Sequence, residues 1–192
     1  MTAQQKNRRT ILLLFAMTII PFTIAAYFTK ISPTKTTNRG QLIVPIISTN
    51  KSDFIGFDAF SKSNLTELTG HWLLVNIIAQ HDCDLYCQEA LHKSKQLHLM
   101  LSKDLTRVRR TVLILNHPSP AIAATWWADD SRLLRLTMSQ ELSKKLSHLA
   151  LNDGMLLLID PLGNIMMQYA KGFNPYDVVH DLKKLLTVSQ IG

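Results

Sequence analysis

The chain has 192 residues, a formal net charge of +7 and two cysteines, too few for a disulfide-built scaffold. The charge is not spread evenly: residues 1–39 hold six basic residues and no acidic one, which leaves fifteen basic against fourteen acidic residues, a net +1, for everything after them. The basic excess therefore flanks the apolar amino-terminal segment, where Lys and Arg set membrane topology, and it gives no footprint for DNA or RNA.

Thr10 to Phe28 contains no charged residue, and at about 1.5 Å per residue a helix over this run is roughly 28 Å long, enough to span a bilayer core. Pro21 is tolerable there because neighbouring groups re-satisfy the freed carbonyl in a membrane helix. The run is longer than the apolar part of a cleavable signal peptide, and Ala25 and Ala26 offer only a poor cleavage site, so the reading is an uncleaved signal anchor, with a cleaved signal as the alternative. Lys6, Arg8 and Arg9 cluster before the span more tightly than Lys30, Lys35 and Arg39 follow it, which favours a cytoplasmic start and an external body. Thr29 to Gly40, rich in Thr, Lys, Ser and Pro, reads as a tether. The expected organisation is thus residues 1–9 cytoplasmic, 10–28 transmembrane, 29–40 linker and 41–192 one domain, long enough to hold its own core.

Within that domain, Gln41 to Ser48 is an extended segment interrupted by Pro45 and predicts an edge strand or entry arm. Trp72 to Ile78 is a continuous apolar run of the kind a strand shows when both its faces are covered. From Leu85 apolar residues recur near helical spacing, placing Cys87 in a helix and Cys83 at or before its first turn, with Asp82 and Asp84 as candidate caps. Thr111 to Leu115 predicts a second buried strand, and Asn116 to Pro120, with two prolines, a loop. Leu136 to Leu149 predicts an amphipathic helix; Met155 to Ile159 a third strand, turned by Asp160-Pro161-Leu162-Gly163-Asn164 into Ile165 to Tyr169; and Asn174-Pro175 the start of a last helix reaching about Val188. The order describes an α/β sandwich with both thiols at the carboxyl end of an early parallel strand, where open α/β sheets place their chemistry.

Cys83-Asp84-Leu85-Tyr86-Cys87 contains both cysteines of the chain. Two close thiols exchange disulfides or hold a soft metal. A helix amino end favours the thiolate while Asp82 and Asp84 oppose it. A relaxed bridge requires Cys83 to stand outside the regular turns. A static disulfide is the plain alternative, although so short a loop stabilises a fold by only about 2 kcal/mol. The sulfurs are expected to lie open to solvent together at the sheet rim. Trp126-Trp127 is expected to pack, and Met166-Met167, on opposite faces of a strand, cannot share one metal. No phosphate-cradling glycine loop or nucleophile elbow is present in the sequence.

Gly70-His71-Trp72-Leu73-Leu74-Val75-Asn76, the Cys83-x3-Cys87 pair and Leu157-Leu158-Ile159-Asp160-Pro161-Leu162-Gly163-Asn164 together resemble the Sco family of cytochrome c oxidase assembly proteins, over roughly residues 54 to 190. The likeness is nearer still to the small membrane-anchored Sco-like proteins of bacteria. It implies a thioredoxin-like three-layer α/β sandwich preceded by one transmembrane helix, held in the cell inner membrane and facing the periplasm. It also implies copper as cargo, and an oxidase subunit or other assembly factors as partners. Cys83 and Cys87 would then bind cuprous copper or reduce the oxidised cysteines of the oxidase copper site; a non-catalytic assembly scaffold with a static disulfide is the other reading. At the position where a Sco protein carries its copper histidine this chain has Asn152, with His148 four residues earlier, and Asn152-Asp153-Gly154 also replaces the cis-proline of thioredoxins. His81, two residues before Cys83, is therefore the candidate third ligand beside the two sulfurs.

Overall fold

The computed structural model describes residues 3–31, 37–116, 118 and 125–191. The chain divides into two compact units, residues 1–37 and 38–192.

The first unit is α1, Ala3–Ile31, one continuous 29-residue helix that runs through Pro21. Its 20-residue stretch Arg8–Tyr27 contains an 18-residue window with a mean hydropathy of 2.1, and at about 1.5 Å per residue it is long and apolar enough to cross a bilayer core. The polar side chains inside it are satisfied locally: Thr18 Oγ1 donates to the Phe15 carbonyl at 3.0 Å and Thr23 Oγ1 to that of Ile20 at 2.9 Å. Residues 32–36 of the expected tether lie outside the described residues.

Among the described residues the second unit holds seven strands: β1 (Gln41–Ser48), β2 (Phe54–Gly56), β3 (Trp72–Ile78), β4 (Val108–Ile114), β5 (Leu134–Met138), β6 (Leu156–Ile159) and β7 (Asn164–Tyr169). They form one sheet in the order β1-β7-β6-β3-β4-β5-β2. The centre, β3, β4 and β5, is parallel. β6, β7 and β1 extend it antiparallel on one side, and β2 closes the other edge antiparallel to β5. The helices are α2 (Ala59–Ser63), α3 (Leu85–Leu99), α4 (Gln140–Leu146) and α5 (Pro175–Val188).

Every residue of β3 is buried, and alternation sends its side chains into two cores. Leu73, Val75 and Ile77 pack with Leu142, Leu146, Leu157 and Ile165 on the α4 face. Trp72 and Leu74 pack with Leu97, Val178 and Leu182 on the face of α3 and α5. A helix layer on each side of the sheet gives the thioredoxin-like three-layer arrangement the sequence predicts.

Pro45 sits in an edge strand, where a missing N–H breaks no interior ladder. At the β6–β7 turn, Asp160 Oδ1 accepts from the amides of Leu162 and Asn164 at 2.9 and 2.8 Å, and Gly163 takes φ +91°, a left-handed conformation that glycine adopts without strain. Asn174 Oδ1 accepts from the Tyr176 amide at 3.0 Å, so the predicted cap opens α5 with Pro175 at its first position.

The helix expected over Leu136–Leu149 is corrected. Its start belongs to β5, and only Gln140–Leu146 is helical, capped by Ser139 Oγ accepting from the Leu142 amide at 3.2 Å. Leu134 and Leu136 form a strand because they pair with Thr111 and Leu113 of β4, a contact invisible to local periodicity. The three-residue β2 is likewise held by pairing to β5 rather than by a pattern of its own. His117, Ser119 and Pro120 of the loop expected after β4 lie outside the described residues.

Chain entry into this unit is fixed by Asp181, which is 2% exposed. Its Oδ2 accepts from the amides of Arg39 and Gly40, both at 2.8 Å, and from the Tyr169 hydroxyl at 3.1 Å. A Cβ at residue 40 would stand 2.6 Å from the Tyr169 ring, which is why glycine is required at this close approach.

Candidate functional site

The site is built where β3 ends and α3 begins. Asp84 is the cap of α3, its Oδ1 accepting from the Cys87 amide at 2.8 Å. Cys83 therefore precedes the helix and Cys87 is its third residue. Their Cα atoms are 5.2 Å apart, within the range of an ordinary bridge, and the two sulfurs are bonded to each other. Gln88 Nε2 donates to the Cys83 carbonyl at 3.0 Å and ties the cysteine loop back onto the helix.

The sulfurs do not lie open to solvent as expected: Cys83 is 5% and Cys87 1% exposed. They belong to an apolar cluster with Ile78, Leu91, Ile114, Trp127 and Leu133. The reason is the weak polarity of a disulfide, which packs as a small hydrophobe and gains from burial against the sheet end. Of the two, Cys83 is the nearer to the surface.

A second loop braces the first. Asp153, 5% exposed, accepts through Oδ1 from the amides of Ala79 at 2.7 Å and Gln80 at 3.3 Å, the two residues that leave β3 toward the cysteines. Its Oδ2 is buried and has no hydrogen-bond partner among the described residues. Gly154, at φ +76°, lies so close that a Cβ there would stand 2.9 Å from the Tyr86 carbonyl oxygen in the first turn of α3. The segment Asn152-Asp153-Gly154 thus clamps the cysteine loop with a carboxylate and packs on the helix start with a glycine. Asn152 beside it is exposed, its Nδ2 donating to the Ala150 carbonyl at 2.9 Å.

A cavity of about 410 Å³ borders this arrangement, lined by Gln80, Asp84, Asn152, Asp153 and Lys171 among others. Lys171 Nζ stands 4.9 Å from the centre of the Tyr86 ring. Sequence reasoning assigned no part to Asp153, Gly154 or Lys171. The available signal was the Asn-Asp-Gly turn immediately before a buried strand, since a turn-forming acid in that position has amide groups within reach.

His81 is exposed in the cysteine loop, and His148 is exposed in a turn just past α4 rather than on the helix. Among the described residues no three or more His, Cys, Asp or Glu side chains are gathered as metal ligands. Trp127 is buried edge-on to Phe57 and Trp126, at 6.3 and 5.6 Å between ring centres, so the tryptophan pair packs as expected. Met167 is buried and Met166 only partly so, on opposite faces of β7.

A family model described as "transmembrane-like, thioredoxin-like, C-terminal domain" matches residues 72–189, from the start of β3 to the end of α5. The chain belongs to this family. A similar fold is found in solved Sco structures. Apo Sco1 from Thermus thermophilus superposes with a TM-score of 0.56 at 16% identity, over 79% of this chain and 99% of that one. BsSco, a member of the Sco family of cytochrome c oxidase assembly proteins, gives 0.53 at 18% identity over 78% and 99%. Yeast Sco1 with copper bound gives 0.52 at 17% identity over 64% and 82%. Identities this low establish a shared fold. No curated protein matches the chain in sequence.

Proposed function

We propose that this protein is a membrane-anchored, Sco-like assembly factor for cytochrome c oxidase, and that Cys83 and Cys87 act as a reversible dithiol toward a partner's copper-site cysteines. The reading is supported above all by one observation: the two sulfurs are bonded across the junction of β3 and the capped amino end of α3. A thiol there feels the helix's positive end. In the proposed step the reduced Cys83, the less buried of the pair, attacks a partner disulfide as thiolate and forms a mixed disulfide while one partner sulfur leaves and takes a proton. Cys87 then attacks Cys83, the Cys83–Cys87 bond closes and the second partner sulfur leaves as a thiol. Two electrons pass to the partner, and the two protons lost from the dithiol end on its thiols. The body faces the periplasm from an inner-membrane anchor in this reading, with α1 as the single span.

Copper carriage is the second reading, favoured by the softness of the two sulfurs once reduced. Copper would be cargo. The donor set fits two-sulfur coordination of a cuprous ion, with His81 as the candidate third ligand from the same loop; the Asn152 amide is a poor donor for it. Metal analysis of reduced protein loaded with cuprous ion, alongside His81→Ala and His148→Ala, tests the ligand set: unchanged copper content in both variants removes histidine from it.

The deciding experiment is oxidase activity in membranes of cells carrying Cys83→Ser with Cys87→Ser. Loss of activity is expected, together with a measurable dithiol potential for the unaltered protein without metal. Full oxidase activity in the double variant would instead mean a scaffold whose disulfide is static.

A further inference from the structure

A cavity of about 510 Å³ opens where β4 and β5 begin. Because β3 and β4 are parallel, this is the opposite end of the sheet from the disulfide, so it owes nothing to the dithiol reading. It lies between the last turns of α3 and the segment from α2 to residue 67. Its apolar wall includes Phe60 and Leu99, which are 40% and 65% exposed despite their size. A large side chain left this open loses the free energy of burial unless something covers it.

The charged lining is Lys95, Arg109, Arg110 and Arg132 against Glu67 and Asp130, an excess of two positive charges. Both carboxylates are already committed. Arg109 Nε donates to Glu67 Oε2, and Arg110 Nη1 to Asp130 Oδ2, each at 2.5 Å. Among the described residues Lys95 has only the neutral Asp129 carbonyl, at 3.2 Å. Arg132 is exposed and forms no ion pair among the described residues. Arg110 is 8% exposed, and its Nε is a buried donor with no acceptor among the described residues. His98 adds no charge: burial holds it below the usual imidazole range, and its Nε2 faces the Leu105 and Val108 carbonyls at 3.1 and 3.0 Å.

We propose that this cavity binds a small organic anion with an apolar body, the anionic head drawn by Arg132 and Lys95 and the body laid against Phe60 and Leu99. The volume lies in the range of small-molecule sites, about 300 to 1,000 Å³. The two features select together. An inorganic anion leaves the apolar wall uncovered, a neutral apolar molecule leaves the cationic excess unanswered, and a cation is repelled.

The test is calorimetric titration of the full chain, held in nanodiscs of zwitterionic phospholipid, with 1-naphthyl phosphate, using empty nanodiscs as the blank. One saturable site is expected, with inorganic phosphate binding at least about tenfold more weakly because it buries no apolar surface. Arg132→Glu reverses a charge at the head and should weaken binding about tenfold, with Arg132→Lys within about threefold of the native chain. Leu99→Asn should weaken it about threefold or more through the lost apolar contact. Both side chains are exposed, so these variants keep the fold. Heats no larger than those of empty nanodiscs, equal affinity for inorganic phosphate, or undiminished binding by Arg132→Glu would each overturn the proposal.

Discussion

Asp153 carries more of the site than its place in a polar turn would indicate. Two backbone donors from the cysteine loop converge on one buried oxygen, and truncation leaves both amides without acceptors. Asp153→Ala is expected to cost about 2 kcal/mol in urea unfolding, with Asp153→Asn losing less because an amide oxygen still accepts. Asp181 offers a pH-dependent counterpart. Burial by itself would raise its pKa, but hydrogen bonds from the Gly40 and Arg39 amides, His180 and Tyr169 outweigh that and hold it below the ordinary carboxylate value. A depressed folded value means the stabilisation is complete above the unfolded pKa of about 4 and is lost as pH falls through the folded one. Urea midpoints measured from pH 7 down to pH 2 should therefore fall in the native chain below about pH 4, and Asp181→Asn, weaker at neutral pH, should show a shallower decline.

Among the elements, α3 couples structure to chemistry because its cap and its first turn are also the site. Asp84→Ala removes the acceptor of the Cys87 amide and should destabilise the protein by about 1 kcal/mol. The same change removes a negative charge beside the dithiol. The reduced state, whose thiolate that charge opposes, should become easier to reach, moving the midpoint of a glutathione redox titration toward more oxidising values. An unmoved midpoint with lowered stability would limit Asp84 to capping. β3, α3, the β6–β7 hairpin and α5 could all be read from local signals, an unbroken apolar run, a cap or a turn. β5 could not, since Leu134 to Met138 merges into the apolar spacing of α4 and becomes a strand only when β4 is beside it.

Over the whole molecule, the second unit contains a complete sheet with a packed core on each face. The disulfide closes a loop of sequence separation 4 against that background, so its reduction should leave the fold intact. The expected loss is about 2 kcal/mol, or about 4 to 8 °C in melting temperature for a body of this size, with an unchanged far-ultraviolet circular dichroism spectrum. Unfolding on reduction would show that the bridge, not the sheet, holds the body together.

By itself the sequence determined the apolar amino-terminal helix, the α/β layering and the place of the cysteines at a strand–helix junction, because each rests on a periodicity or a cap that neighbouring residues supply. Tertiary structure alone decided that the sulfurs are buried, that Asp153 and Gly154 brace them from a loop some seventy residues away, and that a cationic, apolar cavity forms at the far end of the sheet. Those features arise between segments distant in the chain, and burial and pairing across such distances leave no mark on local spacing.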